Sequence, residues 1–323
     1  MNINEIAQLA GVSRATVSRY LNNGYVSKEK KEQIKKVIEE TGYRPSSLAQ
    51  TMRTKKTKAV GVILPRISSQ SIGRMVGGIS HVLSAEEYQL LLADTENDEE
   101  EEVRCLQLFR QNYVDGVIIV STVLTDKHLA LLKKLTVPVV ILGKYVEGYN
   151  CVYYNDFDAS RVMTNHLLKS SRRIGFLGVT MRDKEVGIHR YEGFQAACKE
   201  HNVEGTCILE GDFSVDSGYD QMKALMEQNP DIDSVFCATD NLAVGASHYL
   251  REHGISIPEQ VQLAGVGDSS MAKYAYPRMT TIHYFYATSG MEAAGMLLQM
   301  MNGEQVSKSL MMNFRLEIHD STR

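Results

Sequence analysis

The sequence predicts an α/β chain: a small helical head at the N-terminus, followed by two doubly wound lobes of parallel sheet. Three observations carry this. The 323 residues exceed one ordinary domain and suggest two or three. Short helical patterns fill the first 44 residues. Beyond residue 58, apolar runs rich in Val, Ile and Leu alternate with amphipathic stretches, twice over.

Composition sets the broad class. Hydrophobic residues at 43% and charged residues at 23% give a globular balance, and no apolar run approaches the ~18 residues needed to cross a bilayer. The start, MNINEIAQLAG, lacks the basic and apolar regions of a secretory signal. The five cysteines are scattered, odd in number and without a C-x-x-C pair, so neither a disulfide framework nor a zinc site is indicated. These features predict a cytoplasmic protein with no membrane partner. Charge is divided along the chain. Residues 1–58 hold 12 Lys+Arg against 5 Asp+Glu, a net of +7, while the remainder holds 23 against 34, a net of −11. A basic head on an acidic body suits contact with a polyanion through the head alone.

In the head, three helices are expected over residues 4–10, 14–21 and 28–40. Ser13 and Ser27 stand at N-cap positions, and Gly42 is a left-handed stop. Ala7, Gly11 and Val17 have the spacing of a helix-turn-helix. The small Ala7 allows close helix approach, Gly11 permits positive φ in the turn, and Val17 packs the second helix onto the first. Ile34, Val37 and Ile38 recur at helical spacing on the third. Pro45 then opens a segment, 46–53, long enough for about two helical turns and marginal alone in water. Lys55, Lys56 and Lys58 follow as a basic linker.

The body reads as two series. The strands of the first are AVGVILP, YQLLLAD, DGVIIVS and PVVILG, with helices over 75–85, 103–111 and 128–135 between them. The strands of the second are RIGFLGV, CILEGDF, SVFCATD and QLAGVGD, with helices over 191–200, 219–228 and 242–252. Such runs suit parallel strands buried on both faces and joined by right-handed crossovers. Ligands of open α/β sheets bind beyond the carboxyl ends of the strands, so the cleft between lobes is the expected site.

The runs IAQLAGVSRATVSRYLNNGYVS, VIEETGYRP and SLAQTMRTKKT resemble the headpiece and hinge of the LacI/GalR family of transcription regulators, whose A-G-V-S-x-x-T-V-S-R core is complete at residues 10–19. The body is similar to the periplasmic-binding-protein-like core of the same family through VDGVII, RYEGF, GDFS-x-x-SGY, SVFCATDNLAVGA, SIPEQVQLAGVGD and PRMTTI. Nearly the whole chain is covered, and within the family it looks closest to the sucrose-operon type of Gram-positive bacteria.

The resemblance implies a homodimer on a palindromic double-stranded operator, governed by a sugar or sugar phosphate. It implies that Arg14 and Ala15 choose the operator sequence, with Ser18 on or near the same groove-facing surface. Arg19 approaches a guanine, Ser13, Thr16 and Asn22 hold phosphates, Ala49 touches the minor groove, and Met52 wedges between base pairs where the family usually has Leu. For the effector it implies Arg190, Asp240, Phe213 and Asp268 on one lobe, with Ser69, Gln70 and Ser71 on the other. There S-S-Q-S replaces the frequent N-P-F-F, a polar change that favours a carbohydrate over a purine. Arg66, Arg74, Lys144, Arg182 and Lys184 stand near strand ends and suit either a phosphorylated sugar or the surface. The chain is expected to cross between lobes near Asp158, near 283–286 and near 316–319, giving an N-lobe of 59–157 plus 287–316 and a C-lobe of 158–285 plus the last residues. A global catabolite regulator of the same fold, governed by a phosphoprotein partner, is the alternative.

No enzyme motif competes. The histidines show no H-E-x-x-H spacing, GVGDSS lacks the nucleotide-binding glycine pattern, and no serine sits in G-x-S-x-G, so no catalytic residue, metal or cofactor is expected. The acidic run 96–102 reads as a helix start favoured by the dipole, and the methionines of 291–312 as lobe packing or a dimer surface.

Overall fold

The computed structural model describes residues 1–22, 24–43, 56–111, 114–120 and 122–323. The chain divides into two compact units, Met1–Lys58 and Ala59–Arg323.

The first unit contains α1 (Ile3–Leu9), α2 (Arg14–Leu21) and α3 (Lys28–Thr41). Asn2 and Glu5 form a capping box on α1, which starts the helix one residue earlier than Asn4. Ser13 caps α2 by accepting from the Thr16 amide. Ser27 occupies the N-cap position of α3 but makes no side-chain cap bond, unlike the expectation for it. Gly11 and Gly42 both hold positive φ, +64° and +62°, at the turn and the helix stop. Ile6, Ala7, Ala10, Val17 and Ile34 are buried together, with Val37 and Ile38 packed against them.

The second unit contains two six-stranded sheets. The strands are β1 (Ala59–Leu64), β2 (Gln89–Asp94), β3 (Gly116–Ile119), β4 (Val139–Leu142), β5 (Asn150–Tyr154), β6 (Ile174–Leu177), β7 (Thr206–Ile208), β8 (Ser234–Cys237), β9 (Gln262–Val266), β10 (Thr280–Tyr284), β11 (Ser309–Met312) and β12 (Phe314–Glu317). The first sheet has the order β11-β5-β4-β3-β1-β2 and is parallel throughout. The second has the order β12-β10-β9-β8-β6-β7, with only β12 antiparallel to its neighbour. β1, β3 and β4 are buried along their whole length, as are β6, β8 and β9, so both series appear as uninterrupted apolar runs.

The helices of this unit are α4 (Gln70–Ala85), α5 (Glu99–Phe109), α6 (Asp126–Leu132), α7 (Asp156–Leu167), α8 (Arg190–Glu200), α9 (Val215–Gln228), α10 (Asp240–Glu252), α11 (Ser270–Tyr274) and α12 (Tyr286–Met301). One π-helical stretch, Lys184–His189, leads into α8. In each lobe two helices cross at reciprocal glycines. A Cβ on Gly78 of α4 would lie 2.0 Å from the Ala287 carbonyl oxygen, and one on Gly290 of α12 would lie 2.1 Å from that of Met75. Gly218 of α9 and Gly245 of α10 stand in the same relation, at 2.3 Å from the Leu242 oxygen and 1.9 Å from that of Val215. Without side chains at these points the backbones touch.

The chain passes between sheets three times. The first passage follows Tyr154, slightly before Asp158, and the second lies between Tyr284 and Tyr286. The third is at Asn313, earlier than the expected 316–319. Phe314–Glu317 already pairs with Thr281–Tyr284 of β10, so these residues belong to the C-lobe and not the N-lobe. A single residue separates the end of β11 at Met312 from the start of β12 at Phe314. Among the described residues no helix is long and apolar enough to cross a membrane, and no group of His, Cys, Asp and Glu side chains could hold a metal. The five cysteines are free thiols.

Candidate functional site

The head presents α2 as its polar face. Val17 turns inward and is fully buried, while Arg14, Ala15 and Arg19 are exposed and Thr16 and Ser18 half-buried. These positions follow from a helix with one apolar stripe. Ser13 and Thr16 are also joined through their hydroxyls at 2.9 Å, and the Asn22 amide donates to the Ser18 carbonyl at 2.5 Å. Both ends of α2 are thereby held, with two arginines and several small hydroxyls displayed between them. Ala49 and Met52 lie outside the described residues.

In the core, two adjoining cavities of about 140 and 130 Å³ open between the lobes. Arg66, Ser69, Ser71, Val186, Arg190, Phe213 and Tyr286 line both. Gln70 and Asp240 line the second. Of the seven effector residues read from the sequence, six therefore converge here. Asp268 lines neither cavity. Its carboxylate accepts from His283 Nδ1 at 2.7 Å and lies 3.9 Å from Lys273 Nζ.

The charges of the cleft are largely engaged with one another. Arg190 does not pair with Asp240. Its Nε donates to Asp156 at 2.7 Å and its Nη1 to the Ala238 carbonyl at 2.5 Å, with the Tyr284 hydroxyl donating to the same Asp156 oxygen at 2.9 Å. Burial is the strongest single effect and opposes the guanidinium's charge, but the Asp156 carboxylate and the Tyr284 and Tyr286 hydroxyls together outweigh it and raise the Arg190 pKa above its ordinary value. Asp240 is buried at the N-terminus of α10. It accepts from the Thr281 hydroxyl at 2.6 Å and the Ser269 amide at 2.7 Å. Burial raises its pKa, and those two hydrogen bonds resist the rise. Lys144 and Glu185 form a second buried pair at 3.2 Å, and Lys144 also donates to the Thr122 carbonyl at 2.8 Å. Burial pushes the Asp183 and Glu185 carboxyls up, against the pull of Lys144.

Several of these contacts join one lobe to the other. Arg74 donates to the Gly267 carbonyl at 2.6 Å, and the Ser270 amide and hydroxyl donate to Gln70 Oε1 at 2.9 and 2.8 Å. On the other flank Arg182 meets Glu99 at 2.5 Å. The basic residues noted near strand ends thus divide. Arg74, Lys144 and Arg182 are committed to protein partners, Lys184 is exposed, and Arg66 lies over the Phe213 ring at 5.2 Å while lining both cavities. Sequence reasoning missed Asp156, Asp183, Glu185 and Tyr286. The clusters NDFD and RDKE carry the acidic ones but have no spacing that marks them as one site.

Comparison with known proteins accounts for both units. Residues 2–46 match bacterial regulatory proteins of the lacI family, and residues 164–322 match the periplasmic binding protein-like domain. The sucrose operon repressor of Staphylococcus xylosus is 32% identical over 313 residues, 97% of each chain. The solved transcriptional regulator CelR in complex with cellobiose superimposes with a TM-score of 0.76 at 28% identity, over 99% of each chain. The lac repressor dimer bound to operator and the anti-inducer ONPF shares the fold, with a TM-score of 0.92 at 21% identity over 100% of this chain and 99% of that one. A basic helix-turn-helix head, a two-lobed core and relatedness along nearly the whole length converge on one assignment: the chain belongs to the LacI family and is a DNA-binding transcriptional regulator.

Proposed function

We propose that this regulator represses a carbohydrate-utilisation operon in the cytoplasm and that a neutral sugar, bound in the core cleft, sets its grip on a palindromic operator. The carrying observation is the state of the cleft's cations. Arg190 and Lys144 are each neutralised by a buried carboxylate, and Asp240 adds a further acid at the wall. The two other cations of this wall are engaged as well, Arg74 by the Gly267 carbonyl and the Tyr286 ring and Arg66 by the Phe213 ring, so a phosphorylated ligand would have to draw one of them from its partners. A neutral polyol finds what its hydroxyls need: donors and acceptors in balance, with the Phe213 and Tyr286 rings for its apolar faces. The names of the sucrose repressor and the cellobiose-bound regulator agree with this class of ligand.

On the head, Arg14, Ala15, Ser18 and Arg19 read base edges while Ser13, Thr16 and Asn22 hold phosphates. The exposure of Ser13, Arg14, Ala15, Arg19 and Asn22 agrees with contact to DNA along this face. A homodimer is supported by apolar surface on the core. Leu91 and Leu92 are exposed on the edge strand β2, and Tyr274 and Tyr276 are 85% and 86% exposed. The test is a thermal-shift screen pairing neutral sugars with their phosphates. A ligand at about 100 times its Kd adds about 2.7 kcal/mol. Stabilisation by neutral sugars is expected; stabilisation by the phosphates alone would overturn the neutral-ligand reading.

A further inference from the structure

We propose that the cleft holds a latent anion subsite at Lys144 and that Glu185 is the residue that closes it, so that this one carboxylate sets the charge class of the ligand. The inference rests on the neutral-ligand reading above. Lys144 stands two residues past β4 in the N-lobe, and Glu185 lies in the π-helical stretch of the C-lobe that leads into α8. Both line the first cavity, with side chains 9% and 11% exposed. Their contact at 3.2 Å therefore bridges the lobes from inside the cleft. Around this cavity the formal charges cancel: Arg66, Lys144 and Arg190 stand against Asp156, Asp183 and Glu185. Taking the charge from Glu185 leaves a positive surplus, centred on a buried ammonium.

The two buried ion pairs of the wall differ in kind. Arg190 and Asp156 both belong to the C-lobe, so their contact does not depend on how the lobes meet. Arg190 is held besides by the Ala238 carbonyl and lies over the Tyr284 ring. Lys144 has one carboxylate, supplied by the opposite lobe, and the Thr122 carbonyl of its own lobe at 2.8 Å. It is a compact charge with three donors, suited to an anionic oxygen wherever Glu185 gives way. Glu185 is fixed through its backbone. Asp183 accepts from the Glu185 and Val186 amides, each at 3.1 Å, and so caps the π-helical stretch. A Cβ on Gly187 would lie 2.3 Å from the Thr180 carbonyl oxygen, so the stretch is pressed against the chain that follows β6. Such wide turns are rare and gather at functional sites; here the turn presents an acid to the amine of the other lobe. A buried charge is costly unless paired, so an ammonium released from Glu185 favours a ligand anion in its place.

Thermal-shift titration of the full chain with inorganic phosphate tests this without knowledge of the sugar. Glu185→Gln keeps the side-chain shape and should bind phosphate about tenfold or more tighter than wild type, a difference of about 1.4 kcal/mol. Glu185→Asp keeps a carboxylate but draws it back by one methylene. It should show a smaller gain of the same sign, and it carries the test if Glu185→Gln lacks a cooperative melting transition. The double variant Lys144→Met, Glu185→Gln buries neither charge of the pair and should return to the wild-type response. No gain in the single variants, or a gain that persists in the double variant, would overturn the inference and leave the neutral-ligand reading intact. A wild type stabilised by phosphate as strongly as Glu185→Gln, with that response lost in the double variant, would overturn the neutral-ligand reading and the inference with it.

Discussion

Arg190→Met isolates the buried ion pair that holds one wall of the cleft. Arg190 is 5% exposed, and the Asp156 side chain it meets is only 1% exposed. The substitution keeps most of the side-chain volume but leaves the Asp156 carboxylate with the Tyr284 hydroxyl alone, and the Ala238 carbonyl without its guanidinium donor. Breaking a buried pair from one side costs about 3–5 kcal/mol, because an uncompensated charge remains. A domain of this size loses about 2–4 °C per kcal/mol, so a drop in Tm of about 6–20 °C is expected. The double variant Asp156→Asn, Arg190→Met removes the stranded charge and keeps an acceptor for Tyr284. It should therefore be more stable than the single variant, with a coupling of about 0.5–3 kcal/mol. Differential scanning calorimetry of the double variant, of Arg190→Met and of Asp156→Asn reads this directly. A single variant within about 2 °C of wild type, or a double variant showing the plain sum of the two single losses, would refute the assigned role of the pair.

Arg19→Ala should cost about 1–3 kcal/mol of specific DNA binding and relax the preference at one base pair per half-site, read by selection from randomised duplexes; uniform weakening on all sequences would make it a phosphate contact. Gly78→Ala should destabilise the core by about 1–3 kcal/mol in urea, because the new methyl group meets the Ala287 carbonyl across the helix crossing. Asp240 has a pKa raised in the folded state, so its contribution to stability is full below the ordinary carboxylate pKa of about 3.9 and is lost as pH rises through the folded value. The unfolding free energy of wild type minus that of Asp240→Asn should accordingly fall as pH rises above the ordinary carboxylate pKa, as followed by denaturant titration.

Most strands legible from sequence are buried on both faces, where apolar runs are continuous; the half-exposed edge strands β2 and β7 are legible from their apolar runs as well. β5, NCVYY, and β11, SLMM, escaped because they mix half-buried and polar positions. The third passage between lobes was misplaced for a related reason: SLMM and FRLE look like one interrupted strand, yet a single residue, Asn313, separates members of two different sheets. Arg190, Phe213 and Asp240 could be read from motifs. The partner of Arg190 could not, because Asp156 lies 34 positions away and only the fold brings the two together. Asp268, also a motif residue, is engaged by His283 and lines neither of the two cleft cavities. The acidic run from Glu96 does start a helix, capped by Asp98. It does more besides, since Glu99 reaches across to Arg182 and Glu102 is buried 3.1 Å from His128.

Ligand control of DNA binding is the central claim, and the most direct test joins both units in one titration. The operator is a palindromic duplex selected from random DNA, bound by the full chain at one fixed salt concentration, since phosphate contacts make affinity steeply salt-dependent. Fluorescence anisotropy then gives its Kd without sugar and with the sugar identified by thermal shift at saturation. A ligand that favours one of two states should shift that Kd by about 5–150-fold. A sugar that saturates the core while leaving the operator Kd within about twofold, against that expected shift, would contradict it.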